Sequence, residues 1–197
     1  MESRPPDFGI ATFDSEVLVL GALPTPVEVM LLSPEPSVKP PARPSVGNPI
    51  SHSHTVWRGD MRFEAGFGER THAIDGNSKT APSPVETLLN AVGTCAGSDV
   101  VDILGKQRTP VSRLEIDVMA TRRPEFPRRV VSLEVTFTVD GKGIEAAAAE
   151  RAIQLSIEKY CTVAASLAGD IVFTSILVLN GKRGAPVEQP MFSATLP

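Results

Sequence analysis

The chain has 197 residues and a formal net charge of −4 at pH 7. This length is sufficient for one folded domain with a substantial core and shorter flanking segments. The acidic balance opposes binding to nucleic-acid phosphates, and no apolar run is long enough to span a bilayer. We therefore expect neither a nucleic acid nor a membrane as a partner.

The first quarter of the chain is set apart by its proline content. Ten of the 18 prolines fall within residues 1–50, and proline at this density opposes both helices and central strands. We predict that residues 1–50 form a disordered, proline-rich extension. Its apolar stretch from Val17 to Leu23 has acidic residues before it and prolines after it, which is not typical of a secretion signal. We therefore expect a cytoplasmic location, where thiols remain reduced.

Two strands are predicted before the first long helix. They cover Thr55 to Phe63 and Thr71 to Ile74, and the Asp75-Gly76 pair that follows is typical of turns with positive φ. The helix itself has a complete start signal. Ser83 is the predicted N-cap, Pro84 suits the first helical position, and Glu86 completes a capping box.

Cys95 lies on the predicted apolar face of this first helix. Leu88, Val92 and Cys95 share that face at helical spacing, which predicts a thiol on the core side. The face is broadened by Leu89, Ala96 and Leu104. Small residues surround Cys95, and glycine in a helix interior costs about 1 kcal/mol relative to alanine. We therefore expect a close approach at this point by the segment that carries Cys161.

The second half of the chain predicts more strands around a second helix. The segment from Val131 to Val139 alternates apolar and polar residues, and we pair it with Leu114 to Ala120. Asp140-Gly141 then turns the chain towards a helix that begins near Ile144. A β-branched strand is predicted from Asp170 to Leu179.

The second helix places Ile153, Ile157 and Tyr160 on one face, and Tyr160 is predicted to anchor the core. The amphipathic pattern slips at Cys161, where a new short helix is expected to begin. A thiol at a helix N-terminus has a lowered pKa. We therefore expect a lowered pKa at Cys161.

This order of elements predicts an α+β domain over residues 51–181, in which two helices pack on antiparallel sheet. Residues 182–197 contain glycine and proline without periodicity, and we predict a loose C-terminal tail. No glycine-rich phosphate-binding motif is present in the sequence. We expect no cofactor.

Cys95 and Cys161 are the two cysteines of the chain. Their wide separation and the absence of a CxxC motif do not fit the closely spaced ligands of a zinc site. We expect no metal. A structural disulfide, two inert core thiols and a reactive pair all remain open on these observations.

At these residues the sequence resembles the OsmC-like family, which includes the organic hydroperoxide resistance proteins. The resemblance covers roughly residues 54–180 and is carried by DGNSKTAPSPVETLLNAVGTCAGSDVVDIL and ERAIQLSIEKYCTVAASLA. It implies an intertwined homodimer with two central helices in each subunit and active sites at the subunit interface. It also implies that Cys95 attacks a small organic hydroperoxide, that Cys161 closes a disulfide with it, and that a dithiol reductant reopens the disulfide.

The sequence departs from the peroxidases of this family near the first cysteine. Those enzymes have a glutamate ten residues before the cysteine, which orients an arginine that keeps the thiolate ionised. Val85 occupies that position, and no arginine occurs between Thr71 and Cys95. In this respect the chain resembles a subgroup of OsmC-like proteins without an established activity. The side chains left as candidates to support the thiolate are Glu86, Lys79, Arg62 and Arg70.

Two functions fit these residues. The first is a thiol-dependent redox protein that reduces organic hydroperoxides in the oxidative stress response. The alternative is a non-catalytic module that binds an apolar small molecule or senses redox state with the same cysteines. Asp99 and Asp102 share the helical face of Cys95, and we assign them to a polar interface or a solvated helix edge, because acids beside a thiol raise its pKa.

Overall fold

The computed structural model describes residues 50–191. The predicted N-terminal extension therefore lies, apart from Ile50, outside the described residues and stays a prediction. The strands are β1 (His54–Trp57), β2 (Arg62–Phe67), β3 (Arg70–Asp75), β4 (Arg113–Arg122), β5 (Val130–Asp140), β6 (Val172–Leu179), β7 (Lys182–Arg183) and β8 (Val187–Gln189). The helices are α1 (Pro84–Lys106), α2 (Ala146–Leu155) and α3 (Thr162–Ala165), and a π-helical turn (Ser156–Tyr160) follows α2.

β1, β2 and β3 form a small antiparallel sheet before α1. The strand predicted from Thr55 to Phe63 is wrong in one respect, because a tight turn divides it into β1 and the start of β2. Gly59 and Asp60 form that turn with φ of +95° and +49°. The turn after β3 is present, but its positive φ is at Ser78 (+53°) and not at the predicted Asp75-Gly76 pair.

A five-stranded sheet forms the second half of the domain. The predicted pairing of β4 with β5 is confirmed, with Leu114 opposite Val139 and Ala120 opposite Leu133. β6 lies beside β5 in a parallel orientation, so this sheet is mixed and not antiparallel throughout. The parallel pair arises because α2 carries the chain across the sheet before β6, as a crossover connection requires.

The chain continues in regular structure beyond residue 181. β7 and β8 both pair with the outer edge of β6, and Gln189 is buried, with its Nε2 donating to Ser175 Oγ at 2.8 Å. The predicted loose tail over residues 182–197 is therefore wrong for its described part. These two short strands form because they pair with free backbone groups at the edge of β6. A local sequence pattern does not reveal such pairing.

The core lies between the five-stranded sheet and the helices. Its α1 contribution is a fully buried stripe at i, i+4, i+8 and i+12, made of Val92, Ala96, Val100 and Leu104. Leu88 was predicted on this face, and it continues the same spacing four residues before Val92, but it is 38% exposed.

Tyr160 also differs from its prediction, since it is 44% exposed whereas Ile153 and Ile157 are buried. A π turn has more residues per turn than an α-helix. Tyr160 is thereby rotated away from the face that Ile153 and Ile157 share.

Two glycines allow α1 to pack closely on β4. A Cβ built on Gly97 would lie 2.6 Å from Ile116 Cδ1, and one built on Gly93 would lie 3.3 Å from Val118 Cγ2. Gly93 and Gly97 therefore serve contact with β4. On another side of α1, Ala96 O accepts from Ser156 Oγ at 3.4 Å, so the predicted close approach of the segment that carries Cys161 is confirmed. Within residues 50–191, no helix is both long and apolar enough to cross a bilayer.

Candidate functional site

The start of α1 is fixed by the predicted capping box. Ser83 Oγ accepts from the backbone N of Glu86 at 3.3 Å, and Glu86 Oε2 accepts from the backbone N of Ser83 at 2.6 Å. Ser78 Oγ also donates to Glu86 Oε2 at 2.6 Å. The hydrogen bond from Ser78, followed by those from Ser83, lowers the pKa of Glu86 to about 2. These contacts account for Glu86 as a structural residue of the helix start.

Cys95 lies in the middle of α1 and is partly buried. It is nine residues after Glu86, which corresponds to about 14 Å along the helix axis. The buried stripe of α1 sets the rotation of the helix, and this rotation directs Cys95 towards the segment that follows α2.

Cys161 follows the π turn and begins a new helix. Its backbone N donates to Ser156 O at 2.7 Å, the i to i−5 hydrogen bond that closes the turn. Cys161 is then the N-cap of α3, and its Sγ accepts from the backbone N of Ala164 at 3.4 Å. The predicted new helix at Cys161 is confirmed, whereas the π turn before it was not predicted.

The fold brings the two cysteines together with one acidic residue. Cys95 Sγ, Cys161 Sγ and a carboxylate oxygen of Asp99 all lie within 4.8 Å of one another. Both thiols are free, and Cys161 is fully buried. We refer to Cys95, Asp99 and Cys161 as the thiol cluster.

Asp99 is buried, with 3% of its surface exposed. Ser156 Oγ donates to Asp99 Oδ2 at 2.9 Å, and this hydrogen bond joins α1 to the π turn. Asp102, which shares the predicted helical face with Asp99, instead forms an ion pair with Lys106 at 2.7 Å. The helical spacing placed both acids near Cys95, but it did not indicate which of them the second helix covers.

The environment of Cys161 raises its pKa to about 12. Burial is the largest cause, and the neighbouring Cys95 thiol and Asp99 carboxylate act in the same direction. The hydrogen bond from the backbone N of Ala164 lowers this pKa, as expected at a helix start, but burial outweighs it. The predicted lowered pKa at Cys161 is therefore wrong in direction.

The three cations proposed as support for the thiolate are exposed. Arg62 Nη2 lies 3.4 Å from Asp60 Oδ2, and its side chain is 53% exposed. Arg70 lies at the exposed start of β3, and Lys79 lies in the exposed loop before α1. Within residues 50–191, no hydrogen bond or ion pair joins any of these three side chains to either sulfur. The structure thus brings together Cys95 and Cys161, but not the four supporting candidates.

The thiol cluster is also the group within residues 50–191 whose side chains could hold a metal ion. Two sulfurs and one carboxylate are ligand types of zinc sites, in which a fourth ligand completes the tetrahedron.

Two surface hollows of about 390 and 350 Å³ lie elsewhere, one between α2 and β8 and the other on β2 and β3. Neither hollow is lined by Cys95 or Cys161.

Known proteins are similar to this chain in sequence and in fold. Residues 76–175 match the family model of the OsmC-like proteins. Protein YhfA of Escherichia coli K12 is 45% identical over 95 residues, which is 48% of this chain and 71% of that protein. A hypothetical protein from Aquifex aeolicus VF5 is similar in structure, with a TM-score of 0.61 and 26% identity, over 66% of this chain and 96% of that one.

The fold is shared more widely than the sequence. The OsmC-like protein of Mycoplasma pneumoniae has a TM-score of 0.58 at 10% identity, over 65% of this chain and 95% of that one. The predicted α+β fold class is confirmed by these structures. On the match to the family model and the identity to YhfA, the chain belongs to the OsmC-like protein family.

Proposed function

We propose that this protein is a thiol-dependent redox protein that reduces organic hydroperoxides through a reversible disulfide between Cys95 and Cys161. The observation that carries the proposal is the proximity of the two free sulfurs within the thiol cluster, at no more than 4.8 Å. A disulfide has an S–S length of about 2 Å. A relative shift of less than about 3 Å is therefore enough to form one.

The position of Cys161 favours such a shift. It lies between a π turn and a one-turn helix, and not within a long run of α-helical hydrogen bonds. π turns are often found at functional sites, where they interrupt regular helix. Cys95, by contrast, is held inside the 23-residue helix α1. We propose that Cys161 approaches Cys95 when the disulfide closes.

The two cysteines differ in ways that suit two separate steps. Cys95 is partly exposed and can meet a substrate, whereas Cys161 is fully buried and its pKa is raised to about 12. A thiolate is the attacking form of cysteine. We therefore assign the attack on the hydroperoxide to Cys95 and the closure of the disulfide to Cys161.

The proposed cycle has three balanced steps. The Cys95 thiol loses its proton, and the thiolate attacks the terminal oxygen of the hydroperoxide. The O–O bond breaks, Cys95 keeps the terminal OH group as a sulfenic acid, and the departing alkoxide takes up the proton that Cys95 released and leaves as the alcohol. The Cys161 thiol then attacks Cys95 Sγ, which forms the disulfide and releases water. A dithiol reductant returns both cysteines to thiols and is itself oxidised to a disulfide.

The electrostatics of the site make us expect a slow first step. Thiolates are stabilised by nearby positive charge, and the side chains of Arg62, Arg70 and Lys79 make no contact with the sulfurs. Asp99 adds negative charge beside them. The proposed reaction therefore depends on the alignment of the two cysteines more than on nearby positive charge.

A redox sensor is the second candidate, and the buried acid at the thiol cluster favours it. A sensor requires one oxidation event and a lasting conformational change, but no rapid turnover. The sensor and the peroxidase share the disulfide and differ in how many equivalents of hydroperoxide each chain consumes. We place both reactions in the reducing cytoplasm, where a dithiol reductant is available.

Turnover with cumene hydroperoxide and a lipoyl dithiol distinguishes the two functions. We expect the wild type to consume many equivalents of hydroperoxide per chain, Cys161→Ser to consume at most a few, and Cys95→Ser to consume none. Consumption of about one equivalent by the wild type would indicate the sensor. A wild type that consumes none, or a Cys95→Ser variant that turns over, would contradict the proposal.

A further inference from the structure

The second step of the proposed cycle needs a proton acceptor inside the protein. Cys161 is fully buried, and even a thiol with an ordinary pKa of about 8.5 is mostly protonated at neutral pH. Its attack on Cys95 requires the thiolate. Bulk water has no direct access to a sulfur with no exposed surface, so an internal base is needed.

Asp99 is the acidic side chain that lies beside both sulfurs. It lies one helical turn after Cys95 on α1, and a carboxylate oxygen is within 4.8 Å of both sulfurs. It is 3% exposed, and Ser156 Oγ holds its Oδ2 at 2.9 Å. A buried carboxylate beside two thiols is unusual, since acidic side chains are rarely buried.

The groups that face Cys161 Sγ come from each neighbouring element. α1 contributes Cys95 and Asp99, the π turn contributes the neutral Ser156, and α3 contributes the backbone N–H of Ala164. Cys161 otherwise belongs to a cluster of apolar core residues. Among these groups, the carboxylate of Asp99 is the one that can take a proton from the thiol.

We propose that Asp99 accepts the thiol proton of Cys161 as Cys161 attacks oxidised Cys95, and returns that proton to the departing oxygen. This inference rests on the proposed function, because it assigns a residue to the second step of that reaction. The OsmC-like resemblance implies no role for Asp99 in the reaction.

The step is balanced without any external acid or base. The S–H bond of Cys161 breaks and its proton passes to an Asp99 oxygen, while the Cys161 sulfur forms the new S–S bond. The S–O bond of the Cys95 sulfenic acid breaks with its electron pair, and the departing hydroxide takes the proton from Asp99. The products are the disulfide, one water molecule and an ionised Asp99.

Asp99→Asn is the variant that tests the proposal, because it preserves the shape of the side chain and an oxygen that accepts from Ser156. We expect Cys95 to reach the sulfenic acid at the wild-type rate, and the disulfide to close about 100-fold more slowly, the lower range for loss of a general base. Closure is measured by acid quench and intact mass after one equivalent of cumene hydroperoxide, with dimedone to trap the sulfenic acid.

A pH profile distinguishes proton transfer from a merely structural role. In Asp99→Asn, the closure rate should rise about tenfold per pH unit, since hydroxide must then remove the thiol proton. In the wild type the rate should be nearly flat around neutral pH. Closure in Asp99→Asn at the wild-type rate, or a wild-type rate that itself rises about tenfold per unit, would overturn the proposal.

Asp102→Asn is the matched control on the same helix. Asp102 forms an exposed i, i+4 pair with Lys106, and such pairs contribute little to stability. We expect wild-type closure in this variant. An equal slowing in Asp102→Asn and Asp99→Asn would assign the effect to lost charge on α1 and would overturn the role of Asp99.

A second route to the same step separates this proposal from the proposed function. Methyl methanethiosulfonate converts Cys95 to a methyl disulfide without any peroxide, and Cys161 then displaces methanethiol, which leaves with the proton from Asp99. Slow displacement in Asp99→Asn relative to the wild type supports the role of Asp99 even if hydroperoxides do not react. Equal displacement rates in the two proteins would contradict the role of Asp99 even if hydroperoxides do react. If Asp99→Asn fails to fold, the wild-type pH profile of this displacement is measured instead. A rate that is nearly flat around neutral pH supports the role of Asp99, and a rate that rises about tenfold per pH unit contradicts it.

Discussion

At the scale of single residues, the behaviour of the thiol cluster depends on the burial of Cys161. A thiol at a helix N-terminus is usually acidified by the backbone N–H groups of that helix. In this protein α3 is one turn long, and the backbone N of Ala164 is 3.4 Å from Cys161 Sγ. Burial outweighs this weak hydrogen bond and keeps the thiol protonated. We therefore expect Cys161 to stay an unreactive thiol until Cys95 is oxidised to a sulfenic acid, which is an electrophile.

The raised pKa of Cys161 predicts a loss of stability at alkaline pH. The folded state holds the thiol proton up to a pKa of about 12, compared with an ordinary value of 9.0. Between these values the folded state binds more protons than the unfolded state, so stability is complete below about pH 9 and falls as pH rises. The slope is at most about 1.4 kcal/mol per pH unit.

Urea unfolding at a series of pH values measures this slope, with Cys161→Ala as the control. We expect the free energy of unfolding of the wild type to fall faster above pH 9 than that of the variant. Parallel curves for the two proteins would show that Cys161 titrates normally.

Asp99 illustrates what the sequence reveals at this scale and what it does not. The spacing of four residues placed it on the helical face of Cys95, and that part of the prediction required only helix geometry. The assignment to a polar interface or a solvated edge left its burial undecided. The contact with Ser156 joins residues 57 positions apart, and no local pattern indicates such a contact.

At the scale of elements, the start of α1 is structural and is separate from the thiol chemistry. Ser83 and Glu86 satisfy backbone groups of the first turn, and the loss of an N-cap side chain costs about 1 kcal/mol. The pKa of Glu86 is lowered to about 2, so its charged form stabilises the helix start above its ordinary pKa of 4.5. This contribution is lost as pH falls towards 2.

For Ser83→Ala and Glu86→Gln we therefore expect lower stability and unchanged thiol chemistry. We expect both variants to have a lower midpoint of thermal unfolding than the wild type, because each removes part of the capping box. We expect neither to change the rate at which cumene hydroperoxide oxidises Cys95, since Glu86 is about 14 Å along the helix from that cysteine. A large fall in that rate in Glu86→Gln, at a temperature where the variant is folded, would give Glu86 a catalytic role.

The elements that the sequence predicted well are those with local signals. The capping box sets the start of α1, and the strict alternation of β5 sets which side chains face the helices. Elements without a local signal were missed. β7 and β8 contain few apolar residues and form because the edge of β6 is free to pair, while the turn at Gly59 divides a stretch of β-forming residues.

At the scale of the whole molecule, we propose that the protein is a homodimer. Large apolar side chains remain exposed on α1 and on the small sheet. Those on α1 are Leu88 (38%) and Val101 (39%), and those at the small sheet are Trp57 (64%) and Phe67 (49%). Burial of such side chains at a subunit interface removes apolar surface from water and thereby favours association.

Leu88→Glu tests this assembly. A charge at this position is expected to weaken the dimer, and light scattering after size exclusion should give the mass of one chain for the variant and two chains for the wild type. Glu115→Lys, on the exposed face of β4, is a control for a charge change outside the proposed interface. A wild type with the mass of one chain over the micromolar range would contradict the dimer.

The proposed function requires that Cys95 and Cys161 form one reversible disulfide within a chain. Its most direct test is peptide mass mapping of reduced protein that has been mixed with one equivalent of cumene hydroperoxide and quenched with acid. We expect a Cys95–Cys161 disulfide in most chains within seconds, and its complete loss on addition of a lipoyl dithiol. If both thiols are still available for alkylation, or if Cys95 pairs with Cys95 of another chain, the claim is contradicted.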